Sequence, residues 1–188
     1  MNQKELPKGV AVYCASSSQI DPKYMAVARR MGVLLAENSL PLICGGGAGG
    51  MMAAAIEGCV DSLGTAVGVL PRFMMDKGWN HPGLTLTIET ESMHHRKQTM
   101  ASMASAAVAL PGGIGTLDEL AEIMTWHQLG LFTGPVIIVN TDGFYDRLLR
   151  LFGEMNDRGF MRGDVIPARV AATPDEAMDM INDFLSGN

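Results

Sequence analysis

The sequence is poor in cysteine, in long apolar runs and in positive charge, and each shortage excludes a class of protein. Its three cysteines, Cys14, Cys44 and Cys59, have apolar neighbours and no Cys-x-x-Cys spacing, which disfavours a disulfide framework and a zinc cage. We expect reduced core cysteines, and therefore a cytoplasmic protein. No apolar run approaches the ~20 residues of a membrane span. Because the N-terminus is polar and charged, neither membrane insertion nor secretion is expected.

Positive charge is outnumbered, since 14 Lys and Arg against 20 Asp and Glu give a net charge of −6. Such a chain repels a polyanion, so we expect no nucleic-acid partner, although a local site for a small anion is compatible with this charge. The sequence also lacks internal repeats, low-complexity tracts and linkers. We therefore predict a single domain spanning residues 1–188, large enough to bury roughly 70% of the surface of the unfolded chain.

Short apolar runs alternate with helical patterns along the chain, which is typical of a parallel sheet with helices on both faces. The prediction is an α/β fold with a Rossmann-like, doubly wound parallel sheet flanked by helices. Asp21-Pro22 and Thr173-Pro174 each place a capping residue before a proline, and so predict two helix starts. The predicted strands are residues 10–14, 40–44, 65–70, 84–88, 106–110, 136–139 and 169–172.

A helix predicted from about Thr116 to Leu129 has very little polar surface. A helix of this kind is buried on more than one side, either within the domain or against a second subunit. We therefore expect a homodimer that uses this helix. The apolar positions are Leu117, Leu120, Ala121, Ile123, Met124 and Trp126.

Two glycine-rich turns follow predicted strands, where open α/β sheets bind ligands because helix N-termini offer free N–H groups to anions. The first, residues 45–50, has the dinucleotide spacing of glycines. No Lys-Ser/Thr pair follows it, which excludes a P-loop. The next strand ends at Leu70-Pro71-Arg72 without the ribose-binding acid of an NAD enzyme. Only an NADP-dependent oxidoreductase that uses Arg72 stays open as a dinucleotide interpretation.

The second turn runs from Pro111 to Thr116 and continues to Glu119. Its glycines allow a phosphate to approach the backbone, and Thr116 adds a hydroxyl. However, Thr116 and Glu119 also have the spacing of a capping box, in which each side chain satisfies a backbone amide. Taken alone, the capping box is the more common explanation of this pair.

A cationic cluster, residues 92–97, opens the helix that precedes the second turn. Positive charge in a first turn opposes the helix macrodipole, and broken local rules tend to mark function. The alternative is a solvated basic turn neutralised by Glu89 and Glu91. The adjacent His94 and His95 point in different directions and lack a third ligand, so we predict no metal site.

Together these segments resemble the Lonely Guy family of cytokinin riboside 5'-monophosphate phosphoribohydrolases. The resemblance runs from about Val10 to Phe160 and implies a Rossmann-like fold, with the active site close to a dimer interface. It also implies a catalytic glutamate at Glu119 and a catalytic arginine at Arg96. Relatives are often labelled possible lysine decarboxylases, but this chain is far shorter than pyridoxal-phosphate decarboxylases and has no recognisable Schiff-base lysine context. The matching segments are Gly45-Gly46-Gly47, Gly50-Met51-Met52, Met93-His94-His95-Arg96-Lys97, Pro111 to Glu119, and Thr125-Trp126-His127-Gln128-Leu129-Gly130.

The expected activity is hydrolysis of the N-glycosidic bond of a nucleoside 5'-monophosphate, either AMP or an N6-substituted cytokinin riboside 5'-monophosphate. Breaking this bond builds positive charge on the ribose, which a carboxylate such as Glu119 stabilises while it orients or deprotonates water. Arg96 would hold the ribose or phosphate and stabilise the departing base, and Asp118 would bind ribose hydroxyls. This mechanism requires no metal and no cofactor.

The predicted substrate contacts surround these two catalytic residues. The amides of Gly112, Gly113 and Gly115, with Thr116, are expected to take the 5'-phosphate. Serines after the first strand are suited to a ribose or base pocket, although such serines are also ordinary turn residues. The remaining predicted contacts are Ser16, Ser17, Gly46, Gly47, Met93, Lys97 and Glu122.

Two further expectations concern specificity and function class. Residues 73–83 contain no glutamate, whereas plant relatives are expected to have a substrate-contacting glutamate there, so we expect the base preference to differ. The alternative function is a non-catalytic carrier of a nucleotide or of the molybdenum cofactor, since related folds resemble molybdenum-cofactor carrier proteins. The presence of both Arg96 and Glu119 favours the enzyme.

Overall fold

The computed structural model describes residues 8–161 and 166–187. Their seven strands form one sheet in the order β4-β3-β2-β1-β5-β6-β7, and all of the paired strands are parallel. The predicted doubly wound α/β fold is therefore confirmed, and every predicted strand is present with ends shifted by at most two residues. The strands are β1 (Gly9–Tyr13), β2 (Leu42–Cys44), β3 (Ala66–Pro71), β4 (Leu86–Thr90), β5 (Ala104–Ala109), β6 (Val136–Val139) and β7 (Arg169–Ala171).

Helices cover both faces of the sheet. The buried core on one face involves α1, α2 and α7, and the core on the other face involves α4, α5 and α6. None of the described helices is long and apolar enough to cross a membrane. The helices are α1 (Pro22–Glu37), α2 (Gly50–Asp61), α3 (Arg72–Asp76), α4 (Met93–Ser102), α5 (Ile114–Gln128), α6 (Asp146–Asp157) and α7 (Pro174–Leu185), with a short 3-10 turn at Thr141–Gly143.

Strand β1 lies at the centre of the sheet and shows why its sequence is apolar throughout. All five of its residues are buried. Val10 and Val12 belong to the core on one face, whereas Ala11 and Tyr13 belong to the core on the other. A parallel strand covered on both faces therefore needs a continuous apolar run rather than an alternating one.

The predicted capping residues of α1 and α7 are confirmed. Asp21 accepts a hydrogen bond from the Lys23 N–H, and Thr173 accepts one from the Glu176 N–H. Each side chain satisfies one of the backbone amides that the first helical turn leaves free. Both helices have a proline in the first turn, as predicted.

The structure contradicts the capping-box alternative at Thr116 and Glu119. Helix α5 begins at Ile114 with Gly113 as its N-cap, so Thr116 already lies within the first turn rather than at the N-cap. Glu119 then lies too far along the helix to bond the backbone of the cap. Its carboxylate accepts a hydrogen bond from Arg96 instead.

Helix α5 buries one side within the chain and leaves other apolar side chains in solvent. Leu120, Ile123 and Met124 are buried against the sheet. By contrast, Ile114 near its start is 82% exposed, and Leu129 just beyond its end is 52% exposed. Exposed apolar side chains that a second subunit could cover are therefore found at the two ends of this helix.

The strand order changes direction between β1 and β5. The chain leaves β1 toward β2, β3 and β4 on one side, and later crosses to β5 on the other. Loops after β1 and β5 therefore separate and leave a crevice at the carboxyl edge of the sheet, which is where doubly wound proteins bind ligands.

Candidate active site

A cavity of about 600 Å³ occupies this crevice. Its walls come from the segments after β1, β2 and β3 and from the first turns of α4 and α5. Because these segments all end or begin at one edge of the sheet, residues far apart in sequence face a common space. Residues of both glycine-rich turns and of the cationic segment contribute to it.

A buried ion pair between Arg96 and Glu119 forms the polar centre of the cavity. The Arg96 Nη1 lies 2.7 Å from the Glu119 Oε1, and the two side chains are only 8% and 7% exposed. The Arg96 Nε also donates to the carbonyl of Val69 at 3.1 Å. The guanidinium is therefore held at two points, one on β3 and one on α5, which fixes the carboxylate relative to the cavity.

The environment of Glu119 makes its carboxylate a stronger base than an ordinary glutamate. Burial raises its pKa, and the neighbouring Arg96 opposes this without cancelling it. Burial also raises the pKa of Tyr13, which interacts electrostatically with Glu119. A carboxylate in such surroundings accepts a proton more readily than a solvated one.

Gly45 is required because the Arg96 guanidinium lies directly against it. A side-chain carbon at position 45 would collide with the Arg96 Nη2 and would press on Met52. The first glycine of the turn thus makes room for an arginine of the protein itself. The sequence pattern alone had suggested room for the phosphates of a dinucleotide.

The N-terminus of α5 faces the cavity with its amides uncapped by any side chain. Gly113 is the N-cap, and among the described residues no side-chain hydrogen bond caps this end of the helix. Gly113, Gly115 and Thr116 all line the cavity. Free first-turn N–H groups and the positive end of the helix dipole form a binding site for an anion such as a phosphate. Gly112 lies behind this turn, and a side chain there would collide with Thr116.

Tyr145 supports the same turn from below. It is 1% exposed, and its hydroxyl donates to the carbonyl of Leu110 at 2.7 Å. This hydrogen bond anchors the end of β5 just before the proline-glycine-glycine turn. Sequence reasoning missed Tyr145, because no motif marks a residue that begins a later helix and reaches back to this turn.

A second charged cluster lies beside the ion pair. The Lys97 Nζ contacts the two carboxylate oxygens of Asp118 at 3.1 and 3.0 Å and the Glu122 Oε1 at 3.3 Å. Burial acts to lower the pKa of Lys97, but hydrogen bonds to Asp118 and Glu122 outweigh it and raise that pKa overall. Lys97 therefore remains charged and holds Asp118 at the mouth of the cavity.

The structure brings most of the predicted site residues to the cavity wall and leaves some behind it. Four predicted residues do not line the cavity, namely Gly46, Lys97, Gly112 and Glu122. Gly46, Lys97 and Gly112 each lie next to a lining residue, and Glu122 forms an ion pair with Lys97. The predicted residues in the wall are Ser16, Ser17, Gly47, Met93, Arg96, Gly113, Gly115, Thr116, Asp118 and Glu119.

An apolar wall that sequence reasoning missed includes Met52, Leu70, Met74 and Trp79. Two of these residues belong to the β3–β4 connection (residues 72–85). This connection is joined to the first glycine-rich turn by an antiparallel bridge between Gly47 and Asn80. Because Gly47 and Asn80 are far apart in sequence, no local pattern predicts that they pair.

Within the described part of the chain, no group of three or more His, Cys, Asp or Glu side chains is arranged to hold a metal ion. The described cavity wall also contains no lysine. An amine that could form a Schiff base with a carbonyl compound is therefore missing from this wall.

The fold and the cavity together define a Rossmann-like protein with an anion site beside a buried arginine–glutamate pair. The family model described as "Possible lysine decarboxylase" matches residues 52–181. The cytokinin riboside 5'-monophosphate phosphoribohydrolase LOG2 of Arabidopsis thaliana is 36% identical over 152 residues, which cover 81% of this chain and 71% of that protein. The corresponding protein of Rhodococcoides fascians is 37% identical over 156 residues, covering 82% and 79%. The chain belongs to the Lonely Guy family of phosphoribohydrolases, as its motifs predicted.

Solved structures share the fold at lower sequence identity. The molybdenum cofactor carrier protein of Chlamydomonas reinhardtii superposes with a TM-score of 0.75 at 22% identity, covering 96% of this chain and 99% of that one. The molybdenum cofactor binding protein of Rippkaea orientalis has a TM-score of 0.74 at 21% identity, with the same coverage. At these identities the likeness establishes the fold alone.

Proposed function

We propose that this protein hydrolyses the N-glycosidic bond of a nucleoside 5'-monophosphate and releases the free base and ribose 5-phosphate. The observation that carries the proposal is the buried Arg96–Glu119 pair, which opens into the same cavity as the uncapped N-terminus of α5. One end of this cavity suits a phosphate, and the centre holds a carboxylate of raised pKa.

The reaction requires a negative group beside the ribose carbon that loses the base. As the bond breaks, positive charge grows on the ribose, and the Glu119 carboxylate stabilises it. The same carboxylate orients water and accepts its proton as the new bond to carbon forms. Arg96 holds the carboxylate in place and offers its remaining N–H groups to the ribose, the phosphate or the departing base.

The 5'-phosphate binds at the start of α5 in this proposal. The amides near Gly113 and Gly115 and the Thr116 hydroxyl donate to its oxygens. Asp118, held by Lys97, accepts hydrogen bonds from ribose hydroxyls. A nucleoside that lacks the phosphate loses these contacts, so the proposal predicts a strong preference for monophosphates.

Incubating the protein with matched nucleosides and 5'-monophosphates tests the proposal directly. We expect AMP and N6-substituted adenosine monophosphates to yield free base and ribose 5-phosphate, measured by chromatography. The matched control is Phe73→Ala, which alters an exposed aromatic residue outside the cavity wall. Release of base from nucleosides but not from monophosphates would overturn the phosphate site, and no release from any of them would overturn the enzyme.

A non-catalytic carrier is the second candidate, favoured by the likeness to molybdenum cofactor carrier folds. Tight binding of a phosphorylated ligand without turnover would establish it. An NADP-dependent oxidoreductase is a weaker candidate, because Arg72 forms an exposed ion pair with Glu89 and lies outside the cavity wall. Calorimetry with NADP and NAD that shows no binding would remove it.

We also infer that residues 1–188 form one domain and that the protein acts in the cytoplasm. We further infer that it is a homodimer. Leu129 and Leu131, just beyond α5, are 52% and 70% exposed, and a second subunit would cover them. Light scattering should give twice the mass of the chain, and Leu131→Glu should shift it toward the monomer. A monomer at micromolar concentration would contradict the dimer. The buried free cysteines, such as Cys59, support a reducing compartment.

A further inference from the structure

The apolar wall of the cavity contains an aromatic side chain that the proposed chemistry does not use. Trp79 lines the cavity and yet remains 49% exposed. The Lys77 ammonium lies 4.7 Å from the centroid of its ring, a cation–π contact that restrains the indole. A large aromatic ring that is half exposed and lines a ligand cavity is suited to contact a planar ligand.

The position of this ring is set by the backbone. The Ala48 N–H donates to the Trp79 carbonyl at 2.9 Å, and the His81 N–H donates to the Gly46 carbonyl at 2.8 Å. Together with the bridge between Gly47 and Asn80, these bonds attach the β3–β4 connection to the first glycine-rich turn. The indole itself does not hold the connection in place, so replacing it should leave the fold intact.

The same glycine-rich turn links Trp79 to the catalytic pair. Gly45 lies against the Arg96 guanidinium, and the Met52 methyl lies close to Gly45. The Met52 sulfur accepts a hydrogen bond from the Gly47 N–H at 2.9 Å. The anion site at α5 and the indole are thus separate parts of one cavity wall. If the phosphate of a nucleotide binds at α5 and its ribose lies beside Glu119, the base lies in the remaining, apolar part of the cavity.

We propose that Trp79 is a specificity-determining residue that stacks against the base of the nucleotide. The inference rests on the proposed function and adds to it how the base is recognised. Among the lining residues that the structure describes, both carboxylates, Asp118 and Glu119, come from α5. The apolar wall, with Met52, Leu70 and Met74, therefore selects a base by its face and by apolar contact. A base with an apolar substituent fits this wall as well as an unsubstituted one.

Fluorescence provides the first test, because the chain has only two tryptophans. In a Trp126→Phe, Glu119→Gln background, Trp79 is the single reporter, and the nucleotide is consumed about a hundredfold or more slowly than by the wild type. We expect saturable quenching with AMP and none with ribose 5-phosphate, which lacks a base but competes with AMP for the site. AMP binding by calorimetry without any change in Trp79 emission would overturn the inference.

Steady-state kinetics provide the second test. Trp79→Ala should raise KM for AMP by about 5- to 100-fold, the range expected for loss of base stacking, while kcat changes little. Trp79→Phe should recover most of this loss. Phe73→Ala is the matched control, because Phe73 lies in the same connection and is 47% exposed but does not line the cavity. Unchanged KM in Trp79→Ala would contradict the stacking role, and equal losses in Phe73→Ala would assign the effect to the connection.

The two proposals fail in different ways. If wild-type protein neither binds AMP in calorimetry nor releases its base, the proposed function fails and the stacking role falls with it. If wild-type protein releases the base and Trp79→Ala does so with the same KM, the proposed function stands and the stacking role alone is wrong.

Discussion

Replacing Glu119 by glutamine separates catalysis from structure, and the geometry gives both magnitudes. In the wild type, the Arg96 Nη1 donates to the Glu119 Oε1 at 2.7 Å. Glutamine keeps the size of this side chain and an oxygen that can accept the same hydrogen bond. The change removes the negative partner of the buried ion pair but keeps a hydrogen bond from the charged guanidinium, which costs about 1–2 kcal/mol. Because burial already disfavours the ionised carboxylate, the net loss lies at the lower end. For a loss of about 1 kcal/mol in a chain of this size, Tm should fall by roughly 2–4 °C.

Turnover should fall much further than stability. Removing a positioned acid–base group costs on the order of a hundredfold or more in kcat. Base release and thermal melting are measured on the same preparations, with turnover assayed at 15 °C so that every variant is folded. Glu119→Ala is the contrasting variant, because it leaves the buried Arg96 unpaired and should cost about 3–5 kcal/mol. Wild-type turnover in a glutamine variant of lowered Tm would refute the catalytic role.

Three further predictions follow from the same geometry. Gly45→Ala should displace the Arg96 guanidinium and so lower both Tm and, by about tenfold or more, kcat; a normal kcat in a folded variant would contradict this. Burial raises the pKa of Glu119, and the reaction needs its ionised form. As pH falls, kcat should therefore begin to decline at a higher pH than it would with an ordinary glutamate of pKa near 4.3. Glu119→Gln should remove this acidic limb from the pH profile. Gly46→Ala, at a φ of +70° and with its added carbon pressed against Leu70, should destabilise the protein in urea unfolding by at least the ~1–2 kcal/mol of the backbone strain. Gly153→Ala in the middle of α6, where the added carbon meets nothing within 4 Å, should stabilise it by about 0.5–1 kcal/mol; equal effects of the two substitutions would refute the strain assigned to Gly46.

The strands and two of the helix starts were predictable because their causes are local. A buried parallel strand needs a continuous apolar run, and β1 and β6 show one. Asp21 and Thr173 cap the helices that follow them because a short polar side chain reaches the nearby amides. The Arg96–Glu119 pair was indicated only in part. The segment of Arg96 breaks a helix rule and that of Glu119 follows a glycine-rich turn, whereas the roles expected of the two residues came from the resemblance to the family.

The rest of the site depends on contacts between distant segments. The capping-box interpretation failed because α5 starts at a glycine whose amides remain free, and spacing alone does not show which residue begins a helix. Tyr145 and Trp79 escaped notice for a related reason. Tyr145 supports the turn before α5 through a hydrogen bond to Leu110, and Trp79 is held at the cavity by backbone bonds to the first glycine-rich turn. Both depend on segments far away in sequence, so neither belongs to a local pattern.

The attachment of the β3–β4 connection to a glycine-rich turn has an evolutionary consequence. Arg96 and Glu119 are buried in the core of the fold, where most substitutions are costly, whereas Phe73, Lys77 and Trp79 are exposed. Surface substitutions of this kind usually change stability by no more than about 0.5 kcal/mol. If the proposed roles hold, mutation can explore new nucleobases along this connection while Arg96 and Glu119 stay where they are. A library confined to residues 73–79 offers a direct route to enzymes of altered base preference.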